Sequence, residues 1–144
     1  MTAPPTPALI ATATEEEVHS GELGRQIRAF NYGFVGEYGQ AQTIHLNAKG
    51  DGDVLLGGIR SYVFLEWLQV DILFVAEAAR GQGLGARILA EAEARARGLG
   101  ARGVFLNTFD WQAEGFYLKQ GYVRYGRVED YFKGFGLAMM RKIF

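Results

Sequence analysis

A glycine-rich run, Arg80-Gly81-Gln82-Gly83-Leu84-Gly85, separates an apolar stretch that favours extended backbone, Val70-Asp71-Ile72-Leu73-Phe74-Val75, from a long segment of helical periodicity. The glycines therefore sit at a strand-to-helix turn. The first N–H groups of a helix have no partner within it, and the aligned peptide dipoles add partial positive charge there, so such a turn suits an anion. Glycine lets that anion approach the backbone without meeting a Cβ. Arg80 can add charge-assisted hydrogen bonds to a phosphate oxygen. Taken alone, the run is equally compatible with a tight turn that binds nothing. No Gly-Lys-Ser/Thr ending follows, so a nucleotide P-loop would lack its lysine and its magnesium-binding hydroxyl; a dinucleotide fingerprint would need the glycines in the opposite order.

With 144 residues, 49% of them hydrophobic, the chain has enough apolar surface for one core. We expect a flexible tail over residues 1–7, which holds all three prolines, and a single domain over 8–144. The balance of 15 basic against 16 acidic side chains points away from nucleic acid and from anionic membranes as partners. Any anion site must be local. The absence of cysteine excludes disulfides, thiolate metal sites and a cysteine acyl intermediate. There is no basic n-region before a long apolar stretch at the start, and no apolar run reaches membrane-spanning length, so the expected location is cytoplasmic.

Residues 8–13 are compatible with a short strand, and Thr14-x-x-Glu17 forms a capping-box pattern that opens a helix running to about Asn31, kinked or split by Gly21 and Gly24. The aromatic and glycine-rich segment from Tyr32 to Gly39 resembles a loop that closes over a pocket. A hairpin follows, with strands over 43–48 and 54–64. Residues 65–75 predict a central strand covered on both faces. Gly83 to about Gly98 is the clearest helix, with Leu84, Ile88, Leu89, Ala92, Ala96 and Leu99 on one face. A strand over 102–108, a short helix over 111–120 capped by Asp110, and closing strands over 122–128 and 137–143 complete the chain. The loop Glu129–Gly136 lies between those last two strands. Alternating elements in the middle and hairpins at both ends imply an α/β or α+β sheet with helices packed on it.

This order of elements, together with two motifs, resembles the GNAT superfamily, the Gcn5-related N-acetyltransferases. Arg80 to Gly85 matches the family's Arg/Gln-x-x-Gly-x-Gly/Ala loop at every defined position, and Phe116-Tyr117-x-Lys119-x-Gly121-Tyr122 is similar to its second signature. The resemblance covers about residues 14–144. It implies a mixed, mostly antiparallel twisted sheet of about six to seven strands with a central splayed pair, flanked by about four helices. It also implies acetyl-CoA as cosubstrate, with no metal.

Carried over residue by residue, the resemblance makes Leu73, Phe74 and Val75 the strand that hydrogen-bonds the pantetheine arm, since exposed ladder groups can accept an amide chain as an added strand. Gly81, Gln82, Gly83, Leu84, Gly85 and Ala86, with Arg80, would surround the diphosphate. Arg87 has two open readings, a contact to the 3′-phosphate or a solvated helix charge. Asn107 and Phe116 are further cofactor candidates. Tyr117 is the candidate general acid for the leaving thiolate. Asp71 and Glu66 are candidate bases for the amine. Tyr32, Glu37 and Tyr131 are candidate substrate contacts in loops that rim the pocket.

His19 and His45 lack metal-ligand spacing, and neither Ser20 nor Ser61 lies in Gly-x-Ser-x-Gly. Without cysteine, direct transfer in a ternary complex is favoured over an acyl-enzyme. The expected function is transfer of an acetyl group from acetyl-CoA to a primary amine of a small molecule. The alternatives are an inactive CoA-binding sensor or assembly module and an acyltransferase using a longer acyl-CoA. Homodimerisation is common in the family and is expected as an option here.

Overall fold

The computed structural model describes residues 2–144; Met1, the first residue of the expected tail, lies outside them. The chain forms two compact units, one ending at Tyr38 and one spanning Gly39–Phe144.

In the N-terminal unit, helix α1 (Glu15–His19) starts at the expected capping box. The Thr14 hydroxyl accepts from the Glu17 N–H at 3.1 Å, and the Glu17 carboxylate accepts from the Thr14 N–H at 2.8 Å. Gly21, at φ +72°, separates α1 from α2 (Glu22–Val35), so the helix is split at the first of the two glycines. Helix α2 absorbs Gly24 and continues four residues beyond Asn31, so the first part of the expected lid is helical. Phe30 and Phe34, one turn apart with ring centroids at 5.0 Å, support that last turn. Residues 8–13 form no strand.

The larger unit is a six-stranded sheet with the order β1-β2-β3-β4-β6-β5. Its strands are β1 (Gln42–Lys49), β2 (Leu55–Phe64), β3 (Trp67–Val75), β4 (Gly103–Phe109), β5 (Val123–Phe132) and β6 (Phe135–Ile143), joined by helices α3 (Leu84–Gly98) and α4 (Glu114–Lys119). All neighbours are antiparallel except β3 and β4. That parallel pair follows from the connection: β3 returns through α3 to β4, and a crossover helix joins parallel strands. Helix α3 buries Ile88, Leu89, Ala92 and Ala96 against Ile44, Ile59, Val63, Leu68 and Val70 of the sheet.

Two expectations are corrected. The final strands do not stop at Val128 and start again at Leu137; they form one long hairpin closed at Lys133-Gly134, and the supposed loop pairs as Phe132 with Phe135. Asp110 does not cap a helix. It accepts two hydrogen bonds from Arg127, at 2.6 and 2.8 Å, and one from the Gly136 N–H at 2.7 Å, and α4 begins only at Glu114.

One buried ion pair crosses the sheet. Lys142 of β6 donates to both carboxylate oxygens of Glu93 on α3, at 2.9 and 3.2 Å, with Glu93 almost wholly buried. Replacing Glu93 with alanine would leave the ammonium facing apolar neighbours. Urea unfolding should show a loss somewhat below the ~3–5 kcal/mol of a fully buried broken pair, because the Lys142 side chain keeps 26% of its exposure. A Glu93→Leu, Lys142→Met double variant should recover most of that loss.

Candidate active site

Strands β3 and β4 pair through only three residue pairs, Trp67 with Gly103, Leu68 with Val104 and Gln69 with Phe105. Beyond them the strands diverge, while β3 remains paired with β2 as far as Val75 and β4 with β6 as far as Phe109. The divergence leaves a cleft with a cavity of about 960 Å³. Ladder groups of β3 beyond Gln69, on the edge facing β4, have no strand partner there.

At the open end of the cleft lies the glycine loop. Gly81 and Gly83 have φ of +74° and +77°, a region that side chains with a Cβ rarely adopt, and the space where a Cβ would project is empty at both. The first helical bond of α3 runs from the Arg87 N–H to the Gly83 carbonyl at 3.1 Å, and no side chain caps the helix. The N–H groups of Leu84, Gly85 and Ala86 are therefore left without intrahelical partners at a positive helix end. That donor set fits a diphosphate. Arg80 is anchored by a bond from its Nε to the Val75 carbonyl at 3.0 Å and lies 5.6 Å from the Phe74 ring centroid. Gly81, Gly83, Leu84, Gly85 and Ala86 line the cavity with Arg80, and Gln82 lies exposed in the same loop.

Strand alternation sorts the remaining residues onto two faces. Val104, Leu106 and Thr108 of β4 are buried on the face that carries α3, in register with Leu68 of β3. Phe116 and Tyr117 of α4 reach the cavity with them. Phe105, Asn107 and Phe109 project to the opposite face. On β3 the alternation is broken by a bulge: Arg60 pairs with Ile72 and Ser61 with Val70, so Asp71 is the extra residue. Val70 before the bulge and Leu73 after it thus keep to the α3 side, while Asp71 and Ile72 are consecutive exposed residues. By unbroken alternation Asp71 would share the side of Leu73 and Val75; the bulge instead sets it on the other face from them. Asp71 lines the cavity and accepts from Gln69 Nε2 at 3.4 Å, and Gln69 Oε1 in turn accepts from the Tyr62 hydroxyl at 2.7 Å.

Leu73, Phe74, Val75, Asn107, Phe116 and Tyr117 therefore line one cavity with Asp71 and the glycine loop. Glu66 is not brought there. It sits in the β2–β3 turn, before the paired end of β3, and binds Arg102 at 3.3 Å. Tyr131 packs its ring edge-on against Phe109 at 5.0 Å. Tyr32 and Glu37 belong to the N-terminal unit, where the Tyr32 hydroxyl donates to the Tyr38 carbonyl at 3.1 Å. Sequence reasoning missed Trp111, Gln112 and Thr108 as lining residues. Trp111 was absorbed into a helix supposed to start at Asp110, and only the long-range partners of Asp110 reveal otherwise.

The sequence profile of the Acetyltransferase (GNAT) family matches residues 10–122. The chain belongs to that family. As a GNAT protein it is an acyl-CoA-dependent N-acetyltransferase with acetyl-CoA as cosubstrate. An Agrobacterium fabrum acetyltransferase is 30% identical over 132 residues, covering 89% of this chain and 96% of its own. Blasticidin-S acetyltransferase of Streptomyces morookaense is 46% identical over 85 residues, 58% of this chain; the match spans 62% of that relative's length. The crystal structure of a Bacillus cereus acetyltransferase superposes with a TM-score of 0.87 at 28% identity, covering 95% of this chain and 98% of that one. The expected six-to-seven-stranded mixed sheet with a splayed central pair is thus the fold observed.

Burial pushes the Tyr117 phenol up to about 12, and pushes Tyr122 further, with the nearby Glu93 carboxylate adding to the effect. Among the described residues no well-formed hydrogen bond reaches the Tyr122 hydroxyl, which lies near the Glu93 carboxylate. Between pH 10 and 12 the native state holds protons that unfolded tyrosines release, so their contribution to the unfolding free energy should be level below pH 10 and fall as pH rises above it. The Tyr117 share of that fall should end above about 12. Tyr117→Phe should therefore show a shallower alkaline decline in thermal or denaturant unfolding; profiles that coincide between pH 10 and 12 would refute the burial effect.

Proposed function

We propose that the enzyme transfers an acetyl group from acetyl-CoA to the primary amine of a small molecule, directly, within a ternary complex. The observation that supports this reading is one cleft lined both by the glycine loop, whose first helical N–H groups are unpaired, and by Tyr117 and Asp71, the candidate acid and base. The glycine loop, Arg80 and the free edge of β3 at Leu73, Phe74 and Val75 hold the cosubstrate, with Asn107 and Phe116 beside it. Acetyl-CoA supplies an activated thioester carbonyl. Asp71 takes the proton that the ammonium must lose before its nitrogen can attack, either directly or through water. As the new carbon–nitrogen bond forms and the carbon–sulfur bond breaks, Tyr117 gives its proton to the departing sulfur, and the proton that the new amide nitrogen sheds returns to the phenolate directly or through water. A phenol held near 12 stays protonated across the working pH range and can serve as a donor. Backbone N–H groups near Val75 would stabilise negative charge on the carbonyl oxygen.

A small-molecule acceptor is favoured by the likeness to a blasticidin-S acetyltransferase. The chain has no cysteine for an acyl-enzyme, which supports direct attack.

Release of free thiol from acetyl-CoA across a panel of amines tests this reading, with propionyl- and succinyl-CoA run in parallel. Amine-dependent release with acetyl-CoA preferred is expected. Coenzyme binding with no release for any amine would overturn the reading, and a marked preference for a longer acyl group would overturn the acetyl assignment. Tyr117→Phe should lower kcat by about 100-fold or more while the dissociation constant of acetyl-CoA changes little. Gly83→Val should do the reverse, weakening acetyl-CoA at least about tenfold, because the positive φ strains the donor loop and the valine side chain fills the open space beside its N–H groups.

A further inference from the structure

The face of the sheet opposite α3 carries, beside Asp71, an aromatic wall that neither the sequence motifs nor the chemistry above uses. Trp111 lies parallel to Phe109, with ring centroids 4.4 Å apart and planes 4° from parallel. Phe135 meets Trp111 edge-on at 5.4 Å, and Tyr131 meets Phe109 edge-on at 5.0 Å. Such offset and edge contacts each favour a fixed ring orientation.

The backbone of this wall is held as firmly as its rings. Asp110, between Phe109 and Trp111, accepts twice from Arg127 and once from the Gly136 N–H, while its own N–H donates to the Gly136 carbonyl at 3.1 Å. Trp111 nevertheless keeps 51% of its surface exposed and lines the cleft. Exposure at the lining of a cleft, rather than exposure alone, is what sets Trp111 apart from most of the other open rings of the chain.

We infer that Trp111 is a specificity-determining residue and that the amine acceptor carries a planar, conjugated group that stacks on it, with its ammonium directed to Asp71. This rests on the acetyl-transfer reading and names its substrate class. Three features favour a flat cation over a puckered, hydroxylated one. An indole π-face attracts both flat rings and positive charge, and half of the Trp111 surface is open at the cleft. Asp71, across the cleft, supplies the opposite charge. The rings packed around Trp111, those of Phe109, Tyr131 and Phe135, offer one hydroxyl between them to a sugar, while Asn107, Thr108 and Gln112 also line the cleft. A flat amine also loses little conformational freedom on stacking against a wall that is already rigid.

The test compares 2-phenylethylamine with 2-cyclohexylethylamine, which share the amine, the linker and the number of carbons but differ in flatness. The aromatic amine should have kcat/KM higher by about fivefold or more. Trp111→Leu should bring that ratio close to one, and Trp111→Phe, which keeps an aromatic face on Phe109, should retain most of it. Binding is followed separately, without acetyl-CoA, through the NMR signal of the Trp111 indole N–H, assigned by its loss in Trp111→Phe. The aromatic amine should shift that signal and the cyclohexyl amine should leave it nearly unmoved. Equal kcat/KM for the two amines, a ratio unaffected by Trp111→Leu, or an indole signal that neither amine shifts would overturn the inference while leaving acetyl transfer standing. If no amine releases thiol, the acetyl-transfer reading falls, and the indole shift still decides whether flat amines stack on Trp111.

Discussion

Three residue pairs of parallel ladder join the two halves of the sheet, and the site exists because there are only three. Strand β3 is complete on its β2 side and β4 is complete on its β6 side, so neither end is frayed. Each half holds its own strand straight while the pair diverges. So short a seam would be a weak hinge without reinforcement. The Glu93–Lys142 pair supplies it, tying α3, which packs on the first half, to β6 in the second. Tyr122 and Tyr117 pack beside that pair, with Lys142 5.7 Å from the Tyr122 ring centroid and the two tyrosine rings 5.4 Å apart. The burial that secures the seam also raises the Tyr117 pKa, so packing and the proposed acid chemistry share one cluster.

A cleft between diverging strands has two faces, and strand parity assigns different chemistry to each. The α3 face carries the glycine loop and α4. The opposite face carries Asp71, Asn107 and the aromatic wall. A donor and an acceptor can then approach from opposite sides and meet between the strands, without competing for one entrance. The bulge at Asp71 makes this arrangement possible. Without the extra residue, Leu73 and Val75 would turn away from α3 and share the face of Asp71.

What could be seen in the sequence was local, and what could not was long-range. The capping box at Thr14, the break at Gly21 and the glycine loop are each set by residues a few positions apart, and all three formed as expected. The core face of α3 followed from its spacing, except that Leu99 falls at the helix end, half-exposed. Asp110 misled because a carboxylate just before a helical stretch has the local signature of a cap; its partners Arg127 and Gly136 lie 17 and 26 positions away. The segment from Glu129 to Gly136 has the composition of a loop, yet it is hairpin. Asp130 and Lys133, at φ +45° and +52°, allow the irregular ladder, and Asp130 accepts from the Gly134 N–H at 2.9 Å. A bulge such as that at Asp71 has no composition of its own, because it is a property of two paired strands.

Three acidic residues of this unit, Asp110, Glu66 and Asp71, differ in their partners. Arg127 and the Gly136 N–H hold the Asp110 carboxyl well below the usual carboxylate range. A group so firmly ionised is a poor proton acceptor near neutral pH, and its bonds are already used in fixing the backbone between Phe109 and Trp111. Glu66 is occupied by Arg102 on the far side of the seam. Asp71 differs from both: among the described residues it has no cationic partner, only the long contact from Gln69, so its oxygens remain available to a ligand in the cleft. The two aspartates thus differ in what holds them: Asp110 is committed to Arg127 and the Gly136 N–H and fixes the backbone before Trp111, whereas Asp71 lines the cleft with only Gln69 as a partner, which suits it to the base role proposed above.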